Sequence, residues 1–302
     1  MPPCPVSDPL EVLDYQQWEQ RMHAHQQRVA ELMHDHLERR TRGIKHPIFD
    51  FLFDYYPTTP GQLSRWHPGL GVALDANDRT PPHSAWRFYK QVEHETAGRI
   101  VMFDAQEMLQ QRRVLVAFIH DLLTRDTPAR FDCFGLHEWA MVYRGTPRHD
   151  MPLRLSEQAT NEVVDTHSIR CSHYDAFRFF TEAARPLNAF QPTRETQPDL
   201  EHPGCLHATM DLYKWATKLG PAVDGETWLE TFRLARDVRI LDMEASPYDC
   251  RPLGFGVVAI ETPEGKAEYV ARQRDFTRRA EVLRKRLSDC AAGVFGTFLK
   301  DS

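Results

Sequence analysis

The stretch HPGCLHATMDLYKWATKLGP, residues 202–221, decides the fold class of this chain. Pro203 and Gly204 stand before an uninterrupted run of residues that suit a helix, and Gly220 and Pro221 stand after it. A glycine followed by a proline directly beyond the last turn is a usual end of a helix. The stretch therefore predicts one helix between Gly204 and Gly220.

Helix signals of the same kind recur on both sides of this stretch. Apolar residues and histidines repeat at three- and four-residue steps near the start of the chain, and Asp104 with Glu107 has the spacing of a capping box. The predicted helices, with approximate bounds, cover 12–40, 47–56, 104–124, 133–143, a segment from 156, 172–184, 204–220, 224–245 and 262–287. Short strands are predicted at 72–74, 86–92, 99–103 and 257–260. The sequence thus predicts a mainly α fold, a compact multi-helix domain with a few short β-strands.

Length and composition favour one folded domain. The chain has 302 residues, of which 41% are hydrophobic and 26% charged, as in globular proteins. We expect a single domain over 1–302, with 1–11 disordered and 57–103 as the least helical insertion. The longest apolar run, 114–119, is far too short to span a membrane. The start shows no targeting segment, so we expect a cytoplasmic protein with cysteines as thiols.

The charge balance argues against a protein whose main partner is nucleic acid. Lysines and arginines number 37 and acidic residues 43, a net charge of −6, whereas phosphate backbones are bound by basic surfaces. One basic stretch stands out, since residues 272–286 hold seven basic and two acidic side chains. Two interpretations stay open for it: a helix face laced with ion pairs, or a contact with nucleic acid or another partner.

Common catalytic motifs are missing from the sequence. It contains no phosphate-binding loop, dinucleotide fingerprint, H-E-x-x-H, C-x-x-C pair or G-x-S-x-G elbow. It does contain 15 histidines, and several stand beside carboxylates, cysteines and aromatic residues. These combinations fall in three segments, 131–144, 169–180 and 202–218.

The first segment carries Cys133, His137, Glu138 and Trp139. Cys133 and His137 are four residues apart, so a helix would place them on one face and turn Glu138 about 100° away. The pattern makes His137 a candidate metal ligand and Glu138 a candidate catalytic acid or base.

The second segment reads Arg170-Cys171-Ser172-His173-Tyr174-Asp175. The His-x-Asp spacing of His173 and Asp175 occurs in iron sites where two histidines and a carboxylate leave coordination positions open. The alternative is structural, since Asp175 also stands where a capping box begun by Ser172 would need it.

The third segment places His207 and Asp211 one helical turn apart, with Lys214 continuing the stripe. A carboxylate at this spacing can orient the imidazole, accept its proton or share a metal ion with it. It can equally form a structural hydrogen bond and an ion pair with Lys214. Asp211 is the candidate favoured for catalysis, because an acid in the middle of a helix has no capping role.

Two weaker patterns remain. Cys171-x-His173 and Cys205-x-His207 repeat one arrangement and together could supply four zinc ligands. Trp66 and His67 lie in a predicted turn, where they either close over a flat ligand or cover the core.

The chain resembles a family of actinobacterial and proteobacterial proteins that are commonly labelled 3-methyladenine DNA glycosylase. The stretches that carry the resemblance are HPIFDFLFDYY (46–56), QLSRWHPGLG (62–71), FDCFGLHEWAMVYR (131–144), IRCSHYDAFRFF (169–180), PLNAFQPTRETQ (186–197), HPGCLHATMDLYKWATKLGP (202–221), RDVRILDMEASPYD (236–249) and IETPEGKAEYV (260–270). The resemblance spans nearly the whole chain. It implies an N-glycosidic hydrolase that acts on alkylated purines in DNA repair.

Excision of an alkylated base needs an aromatic pocket and a carboxylate that positions water. The candidate substrate contacts in this chain are Trp66, His67, Trp139, Tyr174, Arg178 and Lys214. The candidate catalytic carboxylates are Asp211, Glu138 and Asp175.

Two other functions compete with base excision. In a metal-dependent enzyme, His137, His173 and His207 with a nearby carboxylate would hold a divalent ion, iron or zinc, and act on a small molecule. In a non-enzymatic helical protein, the same groups would only orient one another around a ligand. The expected partner is a small molecule or a modified nucleobase, with weak nucleic-acid binding if any and no membrane.

The three polar segments should lie together in the folded protein. Each buried polar group needs a partner, so segments rich in histidine and acid are costly to bury apart. We therefore expect 131–144, 169–180 and 202–218 to share one cavity.

Overall fold

A computed structural model describes residues 10–56 and 58–298 of the chain. These residues form a mainly helical fold with one small sheet, which confirms the predicted fold class. The helices are α1 (Tyr15–Thr41), α2 (Phe51–Asp54), α3 (Pro60–Leu63), α4 (Ala105–Thr124), α5 (Leu136–Ala140), α6 (Glu157–Thr166), α7 (Tyr174–Phe177), α8 (Gln197–Leu200), α9 (Leu206–Leu219), α10 (Gly225–Glu244) and α11 (Pro263–Phe298). The strands are β1 (Glu11–Leu13), β2 (Val72–Asp75), β3 (Tyr89–His94) and β4 (Gly98–Phe103).

Helix α9 lies at the centre of the core. It packs against α10 and α11, and α11 packs in turn against α4. Apolar residues such as Leu212 and Ala216 are buried on α9, but so are His207 and Asp211. A helix that is buried on nearly every side must find internal partners for its polar side chains. The side chains that surround His207 and Asp211 form the candidate site.

Local capping sets the start of several predicted helices. The Asp104 carboxylate accepts the Glu107 N–H at the start of α4, and the Asp224 carboxylate accepts the Thr227 N–H at the start of α10. The Ser156 hydroxyl caps α6 in the same way. Each cap satisfies a backbone donor that the first helical turn leaves free.

The sheet gathers most of its strands from the predicted least helical stretch. Its order is β1-β2-β4-β3, with β1 parallel to β2 and the other pairs antiparallel. Glu11 in β1 pairs with Val72 in β2, so the first strand begins at the last residue of the stretch 1–11, for which disorder was predicted. Residues 1–9 lie outside the described part of the chain, as does Pro57.

Three predicted helices are shorter in the structure. In 133–143 only Leu136–Ala140 is helical, because Phe134 and Gly135 have φ values of 50° and 71° that a helix does not allow. In 172–184 only Tyr174–Phe177 is helical, and its N-cap is His173, so no capping box begins at Ser172. In 47–56 only Phe51–Asp54 is helical.

The end of the chain also departs from prediction. Residues 257–260 form no strand; instead the Val258 N–H donates to the Glu244 carbonyl at 2.8 Å. The final helix continues beyond the expected end near Leu287 to Phe298, since Ala291 and Val294 are still buried in the main core.

The basic stretch 272–286 lies on helix α11, and most of its cations form ion pairs. Its cations bind acids on α10 and on α11 itself: Arg272 with Glu244, Arg279 with Asp237, Arg286 with Glu230, Arg278 with Asp275 and Lys285 with Asp289. Most of these charges are therefore already compensated within the protein. Among residues 10–56 and 58–298, no helix has the length and apolar content that crossing a membrane requires.

Candidate functional site

The three histidine-containing segments meet in the core. The ring centroids of His137 and His207 are 4.4 Å apart, and those of His173 and His207 are 5.1 Å apart. All three side chains are buried. The expectation that 131–144, 169–180 and 202–218 would converge is confirmed, with His207 in the middle.

Each histidine is placed by the end of a helix. His207 lies in the first turn of α9, His173 directly precedes α7, and His137 lies in the first turn of α5. Gly135 permits the approach of α5, because its φ is +71° and a Cβ there would come within 3.2 Å of the Tyr269 ring.

A buried chain of ionic contacts begins at His137. Its Nε2 lies 2.8 Å from Asp242 Oδ1, and Arg239 binds the other oxygen of Asp242. The same guanidinium donates to Glu138 Oε1 at 2.9 Å. Burial alone would raise the pKa of Asp242, but the positive charges of His137 and Arg239 hold it well below its ordinary value. Burial opposes charging of His137 too, yet Asp242 raises its pKa well above the ordinary value.

Asp242 is the residue that the sequence reasoning missed. It lies in the stretch 236–249 that carries the family resemblance, but no role was predicted for it. A signal was present, since Asp242 is an acid inside a helix, three residues after Arg239. The same reasoning that selected Asp211 would have selected it.

Histidine and carboxylate atoms converge beside this chain of contacts. His137, His207 and Asp242 each offer one potential ligand atom, and these three atoms lie within 4.8 Å of one another. Burial, followed by the charge on His137, lowers the pKa of His207 well below its ordinary value, so its imidazole is neutral and able to bind a metal ion. Among the described residues, the other group of this kind, His34, Asp35 and Glu38, is exposed at the surface.

His173 stands outside the convergent group, although it was predicted as a metal ligand with His137 and His207. Its Nε2 lies 3.4 Å from Asp211 Oδ2. The three donor atoms that converge thus belong to His137, His207 and Asp242, without His173.

Asp211 belongs to a second buried ionic cluster. Lys214 Nζ lies 2.9 Å from Asp211 and 2.9 Å from Asp175, and the Tyr56 hydroxyl donates to Asp211 at 3.3 Å. Only 1% of the Asp211 side chain is exposed, so its contact with Lys214 is a buried ion pair and not a surface one. Asp175 pairs with Lys214 and with the half-exposed Arg178, and it caps no helix.

A cavity of about 230 Å³ opens beside both clusters. It is lined by charged, aromatic and aliphatic side chains: Phe51, Tyr55, Glu138, Met141, Arg148, His149, Asp175, Ala176, Phe179, His207, Arg239 and Tyr248. His207 also lines a second cavity of about 10 Å³, together with Cys133, Cys171 and Cys205. Three of the predicted site residues, Glu138, Asp175 and His207, therefore reach the larger cavity.

Two predicted aromatic contacts do not line that cavity. Trp139 is completely buried, and its indole N–H donates to the Ala245 carbonyl at 2.9 Å, so no face of it is free to stack on a substrate. Tyr174 lies beneath the guanidinium of Arg194, 5.3 Å from its ring centroid.

Trp66 and His67 lie in the core near the sheet, which is the structural alternative that the sequence left open. Trp66 packs with Leu13 and Leu74. His67 Nδ1 lies 2.8 Å from the Tyr89 hydroxyl, and its ring stacks on that tyrosine.

We expect acid to destabilise the protein through His67 and its neighbour His83. Burial lowers the pKa of His67 to about 3 and that of His83 to about 4, whereas both titrate near 6.5 in an unfolded chain. The unfolded state therefore gains protons first, and the stability contributed by the neutral imidazoles is lost as pH falls from about 6.5 towards 4. The loss by pH 5 should be on the order of 2 kcal/mol for each imidazole.

Denaturant unfolding between pH 7.5 and pH 5 measures this effect. The variant His67→Phe should show a shallower fall in stability with pH, while the exposed His23→Gln keeps the wild-type slope. An unchanged slope in His67→Phe would contradict the prediction.

The fold and the site define a mainly helical protein with a buried His-Asp centre beside a cavity. Comparison of the chain with protein-family models, curated proteins and solved structures gave no match.

Proposed function

We propose that this chain is a metal-dependent enzyme that binds a divalent transition-metal ion through His137, His207 and Asp242 and acts on a small molecule in the adjacent cavity. One observation carries the proposal: donor atoms of these three side chains lie within 4.8 Å of one another, and His207 also lines the cavity.

The donor set indicates the kind of ion. Two imidazoles and one carboxylate are the ligands of non-haem iron(II) sites, and they also occur in zinc enzymes. Such a set leaves coordination positions for water or substrate. Binding of the ion would displace the proton that lies between His137 and Asp242, so we expect metal loading to release a proton. When bound, the ion would act as a Lewis acid or support redox chemistry at those positions.

Groups around the three side chains favour this role. Arg239 binds the second oxygen of Asp242, and Cys133 Sγ lies 3.9 Å from His137 Nδ1. Contacts of this kind fix the orientation of ligands in metal sites. Burial of the set would also keep bulk water from competing for the ion.

Two carboxylates supply proton-handling groups at the cavity. Glu138 lines it while paired with Arg239, and Asp175 lines it while paired with Lys214. Either can hold or accept a proton from a bound molecule. Asp211 does not line the cavity and acts instead by positioning Lys214 and His173.

Metal content of the purified full chain tests the proposal. Protein stripped with a chelator is dialysed anaerobically against Fe(II), or against Zn(II), and its metal is quantified. We expect one ion per chain, and we expect His207→Gln to weaken binding by more than about tenfold, or 1.4 kcal/mol. His173→Gln is the matched control, because His173 is a buried neighbour outside the donor set, and it should bind like wild type.

Absence of binding by both ions would overturn the proposal, as would equal losses in His207→Gln and His173→Gln. A melting temperature that rises with metal in wild type but not in His207→Gln gives an independent readout, because a ligand stabilises only the state that binds it.

Base excision stays a prediction of the family resemblance. The observation that favours it is the cavity, where aromatic rings of Tyr55, Phe179 and Tyr248 stand near Glu138 and Asp175. A flat base could lie among these rings with a carboxylate to position water. The ion pairing along 272–286 favours a free nucleobase or nucleoside over duplex DNA as the molecule bound.

A further inference from the structure

The acids that line the cavity already have cationic partners. Glu138 Oε1 lies 2.9 Å from Arg239, which also binds Asp242. Asp175 lies 2.9 Å from Lys214 and 3.3 Å from Arg178. Within these pairs the charges of Glu138 and Asp175 are offset by those of Arg239 and Lys214, so the pairs contribute little net charge to the cavity.

Arg148 differs from Arg239 and Lys214 in its surroundings and in its charge pairing. It lines the same cavity and is exposed, and its guanidinium lies 4.7 Å from the centroid of the Phe179 ring. Its backbone N–H donates to the Tyr248 hydroxyl at 2.9 Å, which ties this residue to the cavity wall. In the described part of the chain, no carboxylate lies within ion-pair distance of Arg148. Among the described residues that line the cavity, Arg148 is thus the one arginine whose charge no carboxylate compensates.

The remaining wall is largely aromatic. Phe51 and Tyr55 stack with their ring centroids 5.0 Å apart and their planes 5° from parallel, and Phe179 and Tyr248 add two more aromatic rings to the lining. Aromatic walls favour flat rings, which offset-stack or meet them edge to face. The volume of about 230 Å³ is below the range of drug-sized pockets, so the ligand is small.

We infer that the cavity binds a small monoanion, a planar ring bearing one carboxylate, whose carboxylate pairs with Arg148 while the ring lies among the aromatic side chains. Arginine suits this role because its planar fork can donate two parallel hydrogen bonds to a carboxylate. One free cation matches one negative charge, which favours a carboxylate over a doubly charged phosphate. The inference rests on the proposed function, since it names the substrate class of the same cavity.

Benzoate serves as the probe, and benzamide as its neutral counterpart of nearly equal shape. Both are titrated by calorimetry into the metal-free full chain, so that the result does not depend on the metal site. We expect benzoate to bind at least about tenfold more tightly than benzamide, and Arg148→Gln to remove that preference. Arg144→Gln is the matched control, since Arg144 is an exposed arginine nearby that pairs with Asp165.

Several results would overturn the inference: no binding of benzoate, equal affinities for benzoate and benzamide, or benzoate binding that Arg148→Gln leaves intact. Circular dichroism of each variant verifies that it is folded. Because no metal is present, benzoate binding together with failure of metal loading would overturn only the proposed function. Metal loading without benzoate binding would overturn only the assignment of the ligand.

Discussion

Arg239→Met is expected to lower the free energy of unfolding by about 3–5 kcal/mol, because it removes the cation from a buried cluster and leaves two carboxylates behind. Arg239 is 2% exposed and contacts both Glu138 and Asp242. Its guanidinium also lies 4.2 Å from the centroid of the Phe51 ring. Methionine preserves much of the apolar stem, so the loss reports mainly on the missing charge. Urea denaturation at pH 7.5 measures it.

The matched control for this change is Arg279→Met. Arg279 pairs with Asp237 at 2.6 Å, but both side chains are more than 40% exposed, and exposed pairs contribute about 0–1 kcal/mol. Similar losses in the two variants would show that the cluster around Arg239 is not acting as a buried ionic network.

Asp211→Asn is expected to cost about 3 kcal/mol of stability, because Lys214 would lose one of its two buried carboxylate partners. The positive charge of Lys214 holds the pKa of Asp211 well below its ordinary value, although burial opposes this. If Asp211 were the catalytic carboxylate that its place in the sequence favours, the same change would lower turnover by about 100-fold with little change in melting temperature. Because Asp211 is buried, we expect its substitution to lower the melting temperature as well. The measurements are denaturant unfolding and, once a substrate is known, turnover.

A double variant separates charge pairing from other roles of Asp211. In Asp211→Asn with Lys214→Met both charges are removed, and Asp175 keeps Arg178 as a partner. The double variant should therefore lose less stability than the sum of the two single changes. Asp289→Asn is the surface control, since Asp289 forms an exposed pair with Lys285 and should cost under about 0.5 kcal/mol. Strict additivity in the double variant would contradict the buried pair.

Helices were predicted well where the sequence carries both a residue that begins or ends the helix and a regular spacing of apolar side chains. Asp224 begins α10 as expected, and Gly220 directly follows the last residue of α9. Predictions failed where the backbone leaves helical geometry for reasons that residue types do not show. Phe134 with φ 50° is such a case, because an aromatic residue gives no warning of a left-handed conformation.

The candidate site was predictable only in part. The segments that carry His137, His173 and His207 were recognisable because histidines stand there beside acids and aromatic residues. The partners of these histidines in the folded protein could not be recognised from the sequence. His137 pairs with Asp242, 105 residues away in sequence, and no periodicity or motif links the two positions.

By itself, the sequence of this protein determined the fold class, most helix starts and the segments in which polar chemistry is concentrated. These properties depend on interactions within a few residues, namely capping, turn chemistry and the spacing of apolar side chains. The tertiary structure decided which polar groups became partners. It brought Asp242 to His137, made the Asp211 pair a buried one, and placed Trp66 and His67 in the core. Burial is the physical reason, because removal of water makes each ionic partner essential, and burial depends on how distant helices pack.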